Sequence, residues 1–293
     1  MTLASCDSRK TAGENPFFTE WDTPHGVPPF DKILPEHFMP AFERGMSLHE
    51  AEIDAITSNK DEATFENTIL AYDNAGQMLA QTELVFGMLC AAETNDRMQA
   101  LQEQAMPLLA AHRDKIRLDD KLFVRVKEVY DRRAALGLDA EQMRLLQKTY
   151  DSFVRAGALL DAEQKARLKE INGQLSLTAV KFGNNILAEN NNFVLELKSD
   201  ELDGLPAGIR DAAREKAQQM GKGDKWVFTL HKPSLIPLLT YSTRRDLREK
   251  IYKAYLNRCN NGDEYDNKQL INDFIRLRTE KAVSYIHLRA HET

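Results

Sequence analysis

Seven histidines and three cysteines are the side chains of this 293-residue sequence best able to hold a metal or act as a nucleophile. Zinc hydrolases place two histidines at i and i+4 on one helix with a glutamate between them, so that both rings point at one ion. His49-Glu50-Ala51-Glu52-Ile53 comes nearest, with isoleucine where the second histidine would stand, and His291-Glu292 opens the same pattern just before the final Thr293. His25, His37, His112, His231 and His287 are scattered, and each reads as a solvated or hydrogen-bonded residue of a helix face or loop. No catalytic, cofactor-binding or metal-ligating residue is assigned.

Cys6, Cys90 and Cys259 are odd in number and far apart, with no CxxC, so neither a zinc knuckle nor a thioredoxin-type pair is present. Cys90 lies in an apolar stretch and reads as a small buried hydrophobe. Cys6 closes Leu3-Ala4-Ser5-Cys6, which looks like the lipidation site of a bacterial lipoprotein, followed by a polar, tether-like stretch. An export signal needs a basic start and an apolar core, and here only Met1 and Thr2 precede it. Two readings stand: a chance tetrapeptide in a tail, or a lipoprotein whose start codon is placed too late. The first leaves the protein in the cytoplasm; the second tethers it by a lipid on the envelope side.

Gly221-Lys222-Gly223 lacks the third glycine of a phosphate loop and follows a helix, so it reads as a helix end and turn. Arg244, Arg245, Arg248 and Lys250 are interleaved with Asp246 and Glu249, the signature of a solvated, ion-paired face. No GxSxG occurs.

The elements that would carry these residues are helical. With 14 glycines and 10 prolines, chain breakers make up about 8% against an average near 12%, which favours long helices. A net charge of −6 argues against a nucleic-acid partner. No apolar run approaches the roughly 20 residues of a membrane span. Residues 7–35, rich in proline and aromatics, predict an extended arm laid over a surface.

Helical spacing then predicts a stripe from Pro35 through Phe38, Phe42, Met46, Ile53 and Ile56. A long helix follows over about 64–92, and a third from Asn95 through Met98, Leu101, Ala105, Leu108 and Ile116. A fourth runs from Asp119 until Gly137. Asp139 with Gln142 and Asp161 with Gln164 predict reciprocal helix caps. After Asp161 the apolar period of Leu168, Ile171, Leu175, Thr178, Phe182 and Ile186 predicts one face packed along its length, ending at Asn190-Asn191-Asn192. Two strands, 193–198 and 226–230, predict a small ribbon with a helix from near Pro206 between them. Helices at about 233–241, 243–258 and 266–282 complete the pattern.

Four stretches carry a resemblance. NPFFTEWDTPHGVPPFDKILPEHFMPAFERGM (15–46) is similar to the opening of the thimet-oligopeptidase-type zinc metallopeptidases, most of all their peptidyl-dipeptidase branch. FVRAGALLDAEQKARLKEINGQLSLTAVKFGNNILAEN (153–190) resembles that branch's central helix pair. WVFTLHKPSLIPLLTYSTRRDLREKIYKAYLNR (226–258) and EYDNKQLINDFIRLRTEKA (264–282) resemble the segments leading toward its catalytic half. The likeness runs collinearly over about 15–282.

The resemblance implies a mainly α fold, the multi-helix N-terminal lobe of a two-lobed helical peptidase, with one two-stranded ribbon. It implies short peptides as substrates, release of C-terminal dipeptides, and zinc on an HExxH helix of the second half. There a zinc-polarised water attacks the carbonyl while the glutamate moves the proton. This sequence contains no HExxH, so it is expected to be an N-terminal fragment that binds no zinc and is inactive alone. The expected divisions are 1–14 as tail or tether, 15–190 as helical lobe, 191–282 as ribbon and helices, and 283–293 as a foreign or frame-shifted end. The alternative is a non-catalytic helical scaffold that binds peptides or a partner, its uncovered faces apolar.

Overall fold

The computed structural model describes residues 15–289. They form two compact units, one from the residues up to 177 together with those from 279 onward, the other of residues 178–278.

The first unit begins with the arm. Each proline step sets a short turn, at Pro16–Phe18, Pro24–Gly26 and Pro35–His37, so the arm is less extended than its prolines suggest. Asn15 ties it down, its side chain accepting from Phe17 N and donating to His37 O at 2.8 Å. Helix α1 (Phe38–Ser58) follows, and its one apolar stripe serves two cores. Phe38 and Phe42, near its start, pack with Phe17, Ile33, Leu79, Phe86 and Leu109. Ile53 and Ile56, in its last two turns, pack with Phe65, Ile69, Leu122, Val126 and Phe153.

The helix expected over 64–92 is broken. Phe65–Leu70 forms a wide π-type turn capped reciprocally by Thr64 and Asn67, running into the single turn α2 (Ala71–Asp73). The chain then reverses through Gly76 at φ +75° before α3 (Gln77–Ala92). Cys90 is only half-buried against the aromatic core, where full burial was expected. In α4 (Asp96–Arg117), capped by Asn95, the buried stripe is Met98, Ala105, Leu109, His112 and Ile116. Leu108, expected inward, is exposed, because the face turns by one residue to place Leu109 in the core.

Helix α5 (Asp120–Asp131) ends one turn earlier than expected, and a short turn over Arg133–Ala135 leads to Gly137 at φ +64°. Arg125 on α5 is buried and holds the preceding loop, donating to Asn59 O, Asp61 O and Asn67 Oδ1. Helix α6 (Ala140–Ala156) carries the expected cap at Asp139 and Gln142. The second, at Asp161 and Gln164, opens α7 (Ala162–Asn192). Asp139→Ala is expected to cost about 1 kcal/mol in urea unfolding, since the Gln142 backbone N–H loses its partner. In α7 only Leu168 and Ile171 of the six-residue stripe are buried; Leu175, Thr178, Phe182 and Ile186 stay half-exposed, so the face is not packed along its whole length.

In the second unit the ribbon pairs β1 (Leu195–Leu197) with β2 (Trp226–Phe228), antiparallel, with Glu196 opposite Val227. Helices α8 (Ala207–Gln219) and α9 (Lys232–Tyr241) pack on it. With α10 (Arg245–Leu256) they enclose Leu195, Leu197, Phe228, Leu235, Leu238 and Ile251. Such a ribbon is marginal alone, and the helices supply its apolar cover. Helix α11 (Lys268–Arg289) continues through the first residues of the expected foreign end. The fold among the described residues is mainly α with one two-stranded ribbon.

Candidate functional site

His49 on α1 and His112 on α4, 63 positions apart in sequence, meet in the first unit. His49 Nδ1 and His112 Nε2 are 3.0 Å apart. The second nitrogen of His112 lies 3.4 Å from Glu50 Oε1, and Glu50 Oε2 holds Lys115 Nζ at 2.8 Å. A carboxylate only accepts, so a proton on His112 Nδ1 would face Glu50 and leave Nε2 to accept from His49 Nδ1–H. Glu52, one turn further along α1, accepts from Gly76 N at 2.7 Å. A Cβ at Gly76 would stand 2.9 Å from His49 Nδ1, so the break before α3 falls where only glycine fits beside the ring. The two histidines treated as isolated are therefore partners. The signal for it is His112 itself, a polar residue in register with the buried stripe of α4.

Burial lowers the pKa of both rings from 6.5; the charge of His112 adds to this at His49, while Glu50 opposes it at His112. The charged groups facing the pair are Glu50 and Glu52 from α1, Glu83 from α3 and Lys115 from α4. A group whose folded pKa is depressed binds fewer protons folded than unfolded, so its neutral form stabilises the fold above pH 6.5. That contribution is lost as pH falls from 6.5 through the folded value. The melting temperature is expected to drop between pH 7 and 5.5, by roughly 2–4 °C per kcal/mol for a domain of this size. His49→Gln/His112→Gln should show the shallower dependence, and equal slopes in calorimetry would refute the assignment.

His25, His37 and His231 stay apart from the pair. His37 is buried and accepts from Leu34 N, His25 sits exposed in a turn at φ +59°, and His231 lies 3.3 Å from Thr229 Oγ1 at the start of α9. Cys6 and His291 fall outside the described residues. Among the described residues no group of three or more His, Cys, Asp or Glu side chains gathers in a way that could hold a metal ion. The described residues therefore do not fit a zinc site, and no chemical step is derived through one. Gly221 and Gly223 close the turn after α8, with Lys222 paired to Glu196. Arg244–Asp246 and Lys253–Glu249 are ion pairs on the exposed face of α10.

Each unit also has concavities among its described residues, of which one from each is informative. In the first unit a polar cleft of about 480 Å³ lies between α4, α6, α7 and the last part of α11. At its wall burial raises the pKa of Asp114 from its ordinary value, opposed by Asn172, whose Nδ2 reaches both carboxylate oxygens at 2.8 and 3.0 Å. In the second unit an apolar groove of about 300 Å³ is lined by Ala179 and Phe182 of α7 and Leu270, Ile271, Phe274 and Ile275 of α11. No described helix is long and apolar enough to cross a membrane.

Comparison with known proteins shows what this sequence is similar to. No family model matches the chain. Curated relatives are peptidases: the chain is 35% identical over 269 residues to a dipeptidyl carboxypeptidase of Escherichia coli, covering 92% of this chain and 40% of that protein. It is 26% identical over 265 residues to oligopeptidase A of the same organism, covering 89% and 39%. An organellar oligopeptidase A of Arabidopsis thaliana is 26% identical over 290 residues, covering 96% and 36%. The chain thus spans about 40% of the length of the curated relatives it matches. Its sequence is similar to these peptidases over about 40% of their length, with higher identity to the dipeptidyl carboxypeptidase than to either oligopeptidase A.

Proposed function

We propose that these 293 residues are the N-terminal helical part of a zinc metallopeptidase that trims short peptides, releasing dipeptides from a free C-terminus. The carrying observation is the 35% identity to a dipeptidyl carboxypeptidase along 92% of the chain. In this reading the zinc and the groups that activate water belong to the remainder of a longer protein, and the residues here shape the surface that peptides meet. The chain alone, supplied with zinc, then leaves an N-acetylated tetrapeptide intact, as read by mass spectrometry. Dipeptide release by the chain alone would overturn the assignment of catalysis to other residues. Sequencing the source DNA past codon 293 tests the rest: a continuing frame that encodes HExxH is expected, and a stop codon there would retire the peptidase reading.

A further inference from the structure

The polar cleft of the first unit has an excess of positive charge. Arg144, Lys148 and Arg155 lie at i, i+4 and i+11 of α6 and so line one face; Arg117 joins them from the last turn of α4 and Lys281 from α11. Against these five cations stand two carboxylates, and both are already engaged. Asp114 accepts from Asn172, and Asp151 accepts from Gln147 Nε2 at 2.9 Å. Lys281 donates to Asn172 Oδ1 at 2.6 Å, and Arg117 bonds the Tyr72 hydroxyl.

Arg144, Lys148 and Arg155 make no hydrogen bond or ion pair to any described residue. Like charges one turn apart destabilise a helix. In a concave wall their fields add, drawing anions toward the cleft. Guanidinium groups match the flat fork of a carboxylate in particular.

The same wall carries acceptors. The Asp114 and Asp151 carboxylates alternate with the cations, and Ser152 spends its proton on Thr149 O, leaving its oxygen to accept. A bare polyphosphate has no donor for these groups, whereas a peptide brings backbone N–H groups together with its acidic side chains. A volume of about 480 Å³ falls within the range of small-ligand sites.

We propose that this cleft binds a short acidic peptide, its carboxylates on Arg144, Lys148 and Arg155 and its N–H groups toward Asp151 and Ser152. The inference does not rest on the peptidase reading, since it concerns binding without turnover by residues of this chain.

Isothermal titration of the whole chain with acetyl-Glu-Glu-Glu-amide at low salt tests it. Saturable binding is expected, at least tenfold weaker for acetyl-Gln-Gln-Gln-amide and at least tenfold weaker in the Arg144→Gln/Lys148→Gln/Arg155→Gln variant. These three side chains are exposed, and an unchanged melting temperature in the variant confirms that folding is intact. Lys148→Arg, which keeps the charge, is expected to bind as the parent does. Absence of binding, equal affinity for the glutamine peptide, or equal affinity in the triple variant would each overturn the proposal. Tripolyphosphate that binds more tightly than the acidic peptide would overturn it too, marking a phosphate site.

Discussion

Gly204→Ala is expected to unfold the second unit or leave it near its threshold of stability. Gly204 has φ +82°, and a Cβ there would fall 2.2 Å from the carbonyl oxygen of Tyr241 and 3.0 Å from Thr243 N. Both are backbone atoms, so no rotamer change relieves the clash. The loop is pinned on that side by the hydrogen bond from Thr243 N to Asp203 O. Moving it drags Leu202 and Leu205, both buried, out of the core that they share with Leu238 and Leu247. A left-handed backbone costs a residue with a Cβ about 1–2 kcal/mol, and the displaced packing adds about 1–3 kcal/mol.

Guanidinium unfolding followed by Trp226 fluorescence in a Trp21→Phe background reads this unit. Gly208→Ala, four residues on in the first turn of α8 with open space around its Cα, is the contrast. There alanine is expected to stabilise by up to about 1 kcal/mol. Equal midpoints for the two variants would mean that the approach of the Tyr241 carbonyl is relieved elsewhere.

Local signals made most of the architecture legible. Asp139 with Gln142 and Asp161 with Gln164 mark helix starts because each pair satisfies backbone donors within four residues, whatever surrounds it. The first strand announces itself by alternation and the second by aromatic and β-branched residues, and the register of the ribbon follows from keeping Leu195, Leu197 and Phe228 on the covered side. Where tertiary contacts decide, reading along the chain fails. The apolar pattern of 64–92 looks continuous, yet the π-type turn and Gly76 interrupt it, because His49 of α1 occupies the space that a side chain would need. Leu108 and Leu109 are equally apolar, and only the position of α4 against α1 chooses between them.

The chemistry is less legible for the same reason. The pairing of His49 with His112 and the gathering of Arg117 with Arg144, Lys148 and Arg155 join residues of different helices. No spacing within one element brings His49 to His112, or Arg117 to the three cations that share a face of α6. The likeness to the peptidases needed neither, since it rests on long collinear stretches such as 226–258.

A fully enclosed aromatic of the first unit, Phe86, should be as unforgiving as Gly204. Phe86 is 1% exposed, its ring 4.9 Å from that of Phe38 and 5.3 Å from that of Phe42 in edge-to-face contact. Phe38 in turn lies 5.3 Å from Phe17 of the arm, and Phe17 lies 6.1 Å from Trp21. Phe86→Ala is expected to cost about 3–5 kcal/mol, because neighbours on three elements cannot collapse together into the space. Phe86→Leu, which keeps most of the volume, is expected to cost less than about half of that.

The arm gives the second readout. Its grip on the helices runs through Phe17, Ile33 and the indole of Trp21, whose Nε1–H already bonds Pro16 O. Loosening Phe38 should therefore release the arm before the helices melt. Trp21 emission shifts red at denaturant concentrations where helical circular dichroism is still intact, and proteolysis begins between residues 19 and 32. Coincident loss of both signals in Phe86→Ala would show instead that arm and helices form one cooperative unit, with the aromatic ladder from Trp21 to Phe86 as its common core.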